Sequence, residues 1–374
     1  MRKLASIQVI SKLEPIDGAD FIELAKVLGW DVVVKKGEFQ VGDKCVYCEI
    51  DSIMPSDNPS FDFLKDKHGI MKPIKTKKMK GRISQGVCFP MSIIDGEYEV
   101  GTDVTEIIGI KKYEPDENNV ESSKIVKTRK HHSKLISFLY RWGNRPKFLD
   151  RFLFEQTKKP FPSFINRTDE TRVQVMQGLL DKYKGIDFTI TEKLDGSSIT
   201  IWFDSRCHMH VASRNYELLD KNDPFWVTVK ALNIEGKLKE AFSKDRLKDI
   251  ALQGEIIGPN IQGNRYNLKS KEIYFYNLYH YDTKKYDPTW MLEFVCDKAG
   301  INCVPVLDYR FKLTNEINSL IDRSLGMSKL NQTVREGIVL RPYNVINDNS
   351  IKGCVGNRVS FKVINPTYLL KHNL

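Results

Sequence analysis

The sequence TEKLDGSS, residues 191–198, indicates both the fold and the chemistry of this chain. It continues a β-branched run from Phe188 that predicts a strand, so that Lys193 lies at the strand end. Asp195 lies on the same face as Lys193 if the strand continues, and Gly196 lets a ligand approach the backbone closely. A lysine beside a bound divalent cation has a lowered pKa, and its neutral amine can attack a phosphorus atom. Alone, however, the pattern is more typical of an ordinary solvated turn than of an active site.

Further charged residues stand within apolar strands later in the chain. Glu255, Glu336 and Lys362 each lie within or beside a short apolar run. Burying an unpaired charge is costly, so each must be paired or used. One such residue is usually part of a structural ion pair, but several in this order indicate a site for a polyphosphate and a divalent cation. The candidate residues for holding Mg²⁺ or its waters are Asp195, Glu255 and Glu336. The candidate cations for neutralising phosphate are Lys193, Lys362, Arg214 and Arg172.

Composition and charge narrow the class of protein. The chain has 374 residues, with 58 Lys and Arg against 48 Asp and Glu, and a formal charge of +10. The length predicts two or three domains, and the charge suggests a polyanionic partner, although ordinary basic proteins share it. No apolar run approaches the roughly 20 residues of a membrane span. The seven cysteines are scattered, which is typical of reduced thiols in a reducing compartment. We therefore expect an intracellular, cytoplasmic protein, and the short apolar runs predict that it has no membrane contact.

Three segments of the chain differ in pattern. Residues 1–112 contain short strands and turns about ten residues apart, which predict a small β-barrel or sandwich. Residues 113–160 predict a basic linker with a short amphipathic helix around 135–142. Residues 161–374 alternate strands and helices, which predicts an α+β domain with antiparallel sheets. The helical stretches predicted there include 171–180, 224–232 and 290–299.

A basic segment, MKPIKTKKMKGR, occupies residues 71–82 of the first domain. A basic loop on a small barrel can contact the phosphate backbone of a nucleic acid, but a solvated hairpin is an equally good interpretation. The candidate contacts are Lys72, Lys75, Lys77, Lys78, Lys80 and Arg82.

The order of the motifs resembles that of the covalent nucleotidyltransferases, which comprise ATP-dependent DNA and RNA ligases and mRNA capping enzymes. The motifs are K-x-D-G, S-R-N, G-E-I-x-G, F-Y-N-L, E-G-I-V-L and S-F-K-V-I, beginning at residues 193, 213, 254, 275, 336 and 360. Residues 2–30 and 42–55 are similar to the N-terminal OB-type domain of the Deinococcus-type ATP-dependent RNA ligases. The resemblance implies a small OB-type β-barrel at 1–112. It also implies a nucleotidyltransferase domain of the ATP-grasp-like ligase type at 161–374, with antiparallel sheets flanked by helices.

The resemblance also implies an activity, that of an ATP-dependent RNA ligase using Mg²⁺ or Mn²⁺. Lys193 would form a lysyl–AMP intermediate and pass AMP to an RNA 5′-phosphate, after which a 3′-hydroxyl would displace AMP and seal the strand. Asp195, Glu255 and Glu336 would organise the metal ion. The residues implied to bind ATP or AMP are Glu192, Lys193, Arg172, Ser198, Arg214, Glu255, Tyr276, Glu336 and Lys362, with Phe275 as the alternative to Tyr276 for stacking on adenine.

The sequence departs from the family pattern at two positions. Ser360 stands where many relatives have a second lysine, and Asn277 stands where an aspartate is frequent. No second OB-type domain follows the last motif, which favours an RNA ligase over a DNA ligase or a capping enzyme. The expected substrate is RNA, most simply a nicked duplex in RNA repair, with single-stranded breaks and mixed RNA/DNA ends as alternatives. A monomer suffices. The other hypothesis is a nucleic-acid-binding protein with a non-catalytic ligase domain.

Overall fold

The N-terminal region is a curled antiparallel sheet with a core on each face. The structure is a computed structural model that describes residues 3–113, 127–129 and 154–374. The elements of this region are β1 (Ala5–Pro15), β2 (Ile22–Val27), β3 (Trp30–Lys35), β4 (Lys44–Cys48), β5 (Ser52–Ile53), β6 (Lys77–Met79), β7 (Arg82–Ser84), β8 (Val87–Pro90), α1 (Thr105–Ile108) and β9 (Lys111–Lys112). The main sheet has the order β3-β2-β1-β4-β8. Because alternate residues face opposite sides, Val46 packs with Ile7 while Tyr47 packs with Trp30. This is the small OB-type domain that the sequence predicted.

The C-terminal region contains two sheets flanked by helices. Its strands are β12 (Lys158–Pro160), β13 (Asp187–Lys193), β14 (Ser197–Phe203), β15 (Met209–Ala212), β16 (Tyr216–Leu218), β17 (Ile250–Ile257), β18 (Glu272–His280), β19 (Lys285–Tyr286), β20 (Asn302–Cys303), β21 (Val306–Lys312), β22 (Gly337–Pro342) and β23 (Phe361–Ile364). Its helices are α2 (Gln177–Tyr183), α3 (Pro224–Ala231), α4 (Ile234–Ala241), α5 (Lys244–Leu247), α6 (Thr289–Ala299), α7 (Ile317–Ser324) and α8 (Pro366–His372). Between the two regions, β10 (Lys127–Arg129) pairs with β11 (Phe154–Gln156).

The stretch TEKLDGSS joins the two C-terminal sheets. The larger sheet has the order β12-β16-β15-β14-β17-β18-β19, with β20 beside β18, and the smaller has the order β21-β13-β22-β23. Strand β13 lies inside the smaller sheet and ends at Lys193, whereas β14 begins at Ser197 and lies inside the larger one. Only residues 194–196 separate them. The strand-end lysine therefore lies where the two sheets meet.

The N-terminal region packs against the C-terminal one at two places. At the turn between β2 and β3, the amide of Gly29 donates to the carbonyl of Gln174 at 2.9 Å. A Cβ on Gly29 would lie 2.8 Å from the Cα of Gln174, so only glycine permits this approach. At the second place, Leu369 of α8 is part of the core formed by Ile7 and Phe61. These contacts bring the N-terminal sheet beside the segments that carry the predicted site.

One predicted boundary needs correction. Lys158–Pro160, which we assigned to the linker, pairs with Tyr216–Leu218 at the edge of the larger sheet. The larger sheet therefore begins before residue 161. The sequence did not indicate this strand, because a short strand with two lysines gives no apolar signal. The helix predicted around 135–142 lies outside the described residues. Within the described parts of the chain, no helix is both long and apolar enough to cross a membrane.

Candidate active site

Lys193 lies between carboxylates contributed by three strands or their ends. Its Nζ donates to Oε2 of Glu336 at 2.8 Å. Strand pairing explains the contact, because β13 and β22 match Lys193 with Gly337, the residue after Glu336. Glu255 and Asp195 add further negative charge near the same amine. A lysine and three acids thus converge at the junction of the sheets, as the sequence predicted.

The surroundings of Lys193 hold it in the charged form. Burial opposes its charge, but the attraction of Glu336, Glu255 and Asp195 outweighs burial and raises the pKa of Lys193 well above its usual range. A protonated amine is not a nucleophile. A divalent cation between these carboxylates would replace their attraction with repulsion and so favour the neutral amine. A cation at this position would therefore favour the neutral form of Lys193 that nucleophilic attack requires.

The charge balance of the acids fits such a cation. Burial raises the pKa of Glu255 to about 8 and raises that of Glu336, because one lysine does not compensate three carboxylates. Among the residues that the structure describes, no three acidic, His or Cys side chains lie close enough together to hold a metal ion by themselves. Mg²⁺ characteristically keeps several of its waters, so acids at this spacing suit an ion held partly through water and phosphate.

Glycine brings two of the acids together. A Cβ on Gly196 would lie 2.3 Å from the carbonyl oxygen of Ile256 and 2.8 Å from Cγ of Glu255. The chain therefore turns directly over β17 as it leaves Asp195, and Ser198 then pairs with Glu255. The sequence suggested that this glycine admits a ligand. The structure shows that it admits the neighbouring strand.

Cations lie together on another side of the site. Lys362 donates to Oδ1 of Asp169 at 3.0 Å, and Arg214 donates to Oδ2 of the same residue at 3.1 Å. Burial, together with the charges of Lys193 and Arg172, lowers the pKa of Lys362 to about 8, although Asp169 opposes the shift. Burial opposes the charge of Asp169, but Lys362 and Arg214 outweigh it and lower its pKa to about 2. Two of the four predicted phosphate-binding cations are thus paired with one aspartate.

The aromatic residues of β18 face opposite sides of the sheet. Phe275 is fully buried in the main core, whereas Tyr276 lies beside Glu255 and its hydroxyl shares hydrogen bonds with Thr168 at 2.8 Å and Ser198 at 3.2 Å. A bulge in the pairing of β17 with β18 leaves Tyr276 as the extra residue. Such bulges re-aim side chains. The alternative assignment of adenine stacking to Phe275 was therefore wrong, because its ring is enclosed by the core.

Two comparisons with known proteins agree with this geometry, and a third, with curated proteins, gave no match. Residues 4–91 match the family model of an OB-fold domain, and residues 186–364 match that of RNA ligase. Among solved structures, an apo variant of Naegleria gruberi RNA ligase is 31% identical, with a TM-score of 0.78, over 100% of this chain and 98% of that one. A lysine-to-alanine variant with ATP and Mn is 30% identical, with a TM-score of 0.79, over 99% of each chain. A lysine-to-methionine variant of the Naegleria enzyme with AMP and Mn is 31% identical, with a TM-score of 0.78, over 100% of this chain and 99% of that one.

The chain belongs to the RNA ligase family. The identity extends over both regions of the structure, so the N-terminal OB-fold domain and the nucleotidyltransferase domain are shared together. This confirms the family that the motif order indicated.

The remaining predicted residues of this RNA ligase are also near the site. Arg172 adjoins Lys362 through a parallel backbone bridge, and its guanidinium carbon lies 5.7 Å from the ring centre of Trp30. Glu192 is 1% exposed, and its Oε2 accepts a hydrogen bond from the amide of Lys329 at 2.8 Å. Burial raises the pKa of Glu192. A role of Glu192 in binding ATP or AMP stays a prediction.

The two departures from the family pattern adjoin a buried ionic cluster formed by Glu170, Arg341 and Arg358. Oε1 of Glu170 accepts from Arg341 at 3.0 Å and from Arg358 at 3.3 Å, and all three side chains are less than 10% exposed. Arg358 also donates to Asn277 at 2.9 Å. Ser360 is buried beside Glu170, whose pKa is lowered because the charges of Arg341 and Arg358 outweigh its burial. In this ligase, therefore, Asn277 and Ser360 serve a structural cluster rather than carry charge.

Sequence reasoning missed three side chains of the site. Asp169 was not among the predicted site residues, but it pairs with two cations of the ligase, Lys362 and Arg214. Arg265 and Tyr368 both contact Oδ2 of Asp195, although neither belongs to a predicted motif. Their spacing in the chain carried no signal, because the loop before β18 and helix α8 meet Asp195 only after folding.

The basic segment 71–82 includes a hairpin, β6 and β7, with Lys80 and Gly81 at its turn. The side chains of Lys77, Lys78 and Lys80 lie along it with little burial. The other members of the set are engaged: Lys72 pairs with Asp66, Lys75 donates to the carbonyl of Asn373, and Arg82 approaches Glu14. A role in binding nucleic acid stays a prediction, now focused on the hairpin lysines.

Proposed function

We propose that this protein is an ATP-dependent RNA ligase in which Lys193 forms a covalent bond with AMP. Nζ of Lys193 lies 2.8 Å from Oε2 of Glu336 within an acidic cluster, and Lys362 and Arg214 lie near this cluster. That observation carries the assignment, because a nucleophilic lysine, acids for a divalent cation and cations for phosphate are together. The structures of the Naegleria enzyme with ATP and Mn and with AMP and Mn support the choice of nucleotide and metal.

The reaction has three steps. In the first, Nζ of Lys193 attacks the α-phosphorus of ATP, an N–P bond forms, and the bond to pyrophosphate breaks. Lys362 and Arg214 stabilise the negative charge that develops on phosphate. In the second step an RNA 5′-phosphate takes AMP from the lysine, and in the third a 3′-hydroxyl displaces AMP. Mg²⁺ or Mn²⁺, when bound near Asp195, Glu255 and Glu336, supplies positive charge that favours the neutral amine.

Covalent labelling tests the proposal. With α-³²P-ATP and Mg²⁺ or Mn²⁺ the protein should become radiolabelled, and Lys193→Ala should abolish the label. Lys193→Arg should be equally inactive, because a guanidinium stays protonated. Lys182→Ala is a matched control, since Lys182 also pairs with an acid but lies away from the site, and it should label normally. If the wild-type protein is not labelled at any metal concentration, the result would instead support the non-catalytic hypothesis. Labelling by GTP rather than ATP would indicate a capping-type enzyme.

The substrate is proposed to be a nicked duplex RNA, and a mixed RNA/DNA nick is a second candidate. The N-terminal domain lies beside the catalytic one and carries the basic hairpin, an arrangement suited to gripping a duplex. Sealing should be compared on nicked RNA duplexes, nicked RNA/DNA hybrids and single strands of the same sequence. Faster sealing of single strands would contradict the proposal. Sedimentation during the same work should show a monomer.

A further inference from the structure

Asp195 is held by two side chains that no motif contains. Its Oδ2 accepts hydrogen bonds from the hydroxyl of Tyr368, at 2.6 Å, and from Nη1 of Arg265. Arg265 also donates to the hydroxyl of Tyr368 at 2.6 Å, so the three groups form a closed triangle. The hydroxyl of Tyr368 thus donates its one hydrogen to Asp195 and accepts a hydrogen bond from the guanidinium of Arg265.

The triangle is enclosed by protein. The side chains of Asp195 and Arg265 are each 17% exposed, and Tyr368 is 1% exposed. The amide of Asp195 is fixed as well, because it donates to the hydroxyl of the buried Tyr266 at 2.8 Å. Both side-chain contacts fall on Oδ2, so Oδ1 is the oxygen that Arg265 and Tyr368 leave uncovered. A carboxylate held in this way has one orientation rather than several.

Helix α8 connects the triangle with the neighbouring acid Glu336. The helix begins after Asn365, whose side chain caps its first amides. The backbone amide of Asn365 donates to the carbonyl of Glu336 at 2.9 Å, and its side chain donates to the carbonyl of Arg335 at 3.0 Å. Tyr368 therefore reaches Asp195 from an element that is also bonded to the strand end carrying Glu336. The relative placement of two predicted metal-organising acids is set by one helix.

We propose that Arg265 and Tyr368 are positioning residues that orient Asp195 for the divalent cation of the adenylylation site. Groups that bond to metal-binding side chains commonly change metal affinity or activity by about 10–100-fold when removed. The inference rests on the proposed function, because it assumes that Asp195 organises a cation near Lys193. It adds residues from outside the motifs to the machinery of that site.

The test uses Tyr368→Phe, which removes the hydroxyl and keeps the ring, and Arg265→Gln. In self-adenylylation at saturating ATP, both variants should need about 10-fold more Mn²⁺ for half-maximal rate. Binding of Mn²⁺ to the full-length protein with AMP, followed by electron paramagnetic resonance, should weaken by the same factor without turnover. Tyr281→Phe is the matched control, because it removes a hydroxyl that bonds to the carbonyl of Phe203, and its Mn²⁺ requirement should equal that of the wild type.

Partial unfolding cannot imitate the expected result. It would reduce the maximal rate and the number of binding sites, but would leave the half-saturating Mn²⁺ concentration of the folded fraction unchanged. An unchanged Mn²⁺ requirement and unchanged Mn²⁺ affinity in both variants would overturn the inference while leaving the proposed function intact. Failure of the wild-type protein to be labelled by ATP would overturn the proposed function instead, and the Mn²⁺ binding measurement would still decide the role of the triangle.

Discussion

Tyr276 is the residue at which local geometry corrects an ambiguous sequence most clearly. The run from Ile273 to Leu278 alternates too weakly to fix which aromatic ring faces the site. Phe275, which pairs with Gly254, lies in the core, and the bulge follows at Tyr276, which lies beside Glu255. A bulge of one residue changes the facing of every later side chain, so it could not be inferred from periodicity.

Replacing Tyr276 should separate stacking from hydrogen bonding. Tyr276→Ala should weaken ATP binding by about 1–3 kcal/mol, which is the usual contribution of a base stacked on an aromatic ring. Tyr276→Phe keeps the ring and loses only the bonds to Thr168 and Ser198, so it should retain most of the affinity. Equilibrium binding of ATP to the variants measures both effects. An alanine variant that binds ATP as well as the wild type would show that another group holds the base.

Lys362 predicts a pH dependence of nucleotide binding. Because its pKa is lowered to about 8, it is charged below that pH and becomes neutral above it. AMP affinity should therefore be highest below pH 8 and should fall as the pH rises through 8. In Lys362→Arg the guanidinium stays charged, so this fall should disappear. Titrations of AMP between pH 7 and 9 give the comparison, and a fall of equal size in the arginine variant would assign the dependence to another group.

At the scale of elements, the sequence predicted the regular strands and long helices well and the irregular joins poorly. The predicted helices at 224–232 and 290–299 correspond to α3 and α6. The stretch 171–180 was expected to be one helix. It instead contains a short 3₁₀ turn at Val173–Val175, and only then does α2 begin. The reason is that Arg172 forms a backbone bridge with Lys362 and must be extended, a contact that local periodicity cannot reveal.

The connection between β13 and β14 should not tolerate a side chain at Gly196. Gly196→Ala would place Cβ against the backbone of Ile256, which cannot move without shifting β17. We expect loss of adenylylation and a free energy of unfolding lower by about 1–3 kcal/mol, as for overpacked sites. Gly178→Ala in α2 is the control, because its Cβ meets nothing within 4 Å and should stabilise the helix by about 0.5–1 kcal/mol. Urea denaturation and radiolabelling of both variants decide the matter, and normal labelling of Gly196→Ala would contradict the account.

At the scale of the whole molecule, the sequence pointed to candidate residues that the structure brings together, but not to the contacts between domains. Lys193, Glu255, Glu336 and Lys362 were found because charged residues in apolar strands are visible locally. Two contacts join segments that are distant in the chain: Gly29 with Gln174, and Leu369 with the N-terminal core. No pattern in the sequence predicts either contact. The same is true of Asp169, Arg265 and Tyr368. Tertiary structure was needed wherever a residue acts through a partner far away in the chain.

The basic hairpin should affect sealing more than adenylylation. Replacing Lys77, Lys78 and Lys80 by alanine removes three charges that lie away from Lys193. RNA affinity should fall and its logarithmic salt dependence should decrease by up to about 2.7, because each of the three lost phosphate contacts contributes roughly 0.7–0.9. Labelling by ATP should stay normal. Replacing Lys237, Lys239 and Lys248 by alanine removes the same amount of charge elsewhere and provides the control. Equal effects of both triple variants on RNA affinity would mean that only the net charge of the protein matters for binding.

The cluster of Glu170, Arg341 and Arg358 constrains how the sequence can diverge. Losing Glu170 leaves two buried guanidinium groups without a counter-charge, at a cost of about 3–5 kcal/mol, a large share of the stability of a typical domain. Glu170 lies 171 residues before Arg341 in the chain, but the three positions are expected to change together among homologues. Hybrid genes that join the early part of this domain to the late part of a relative with a different set should fail to fold. Hybrids that take all three residues from one parent should fold, so the cluster determines at which positions two relatives can be recombined.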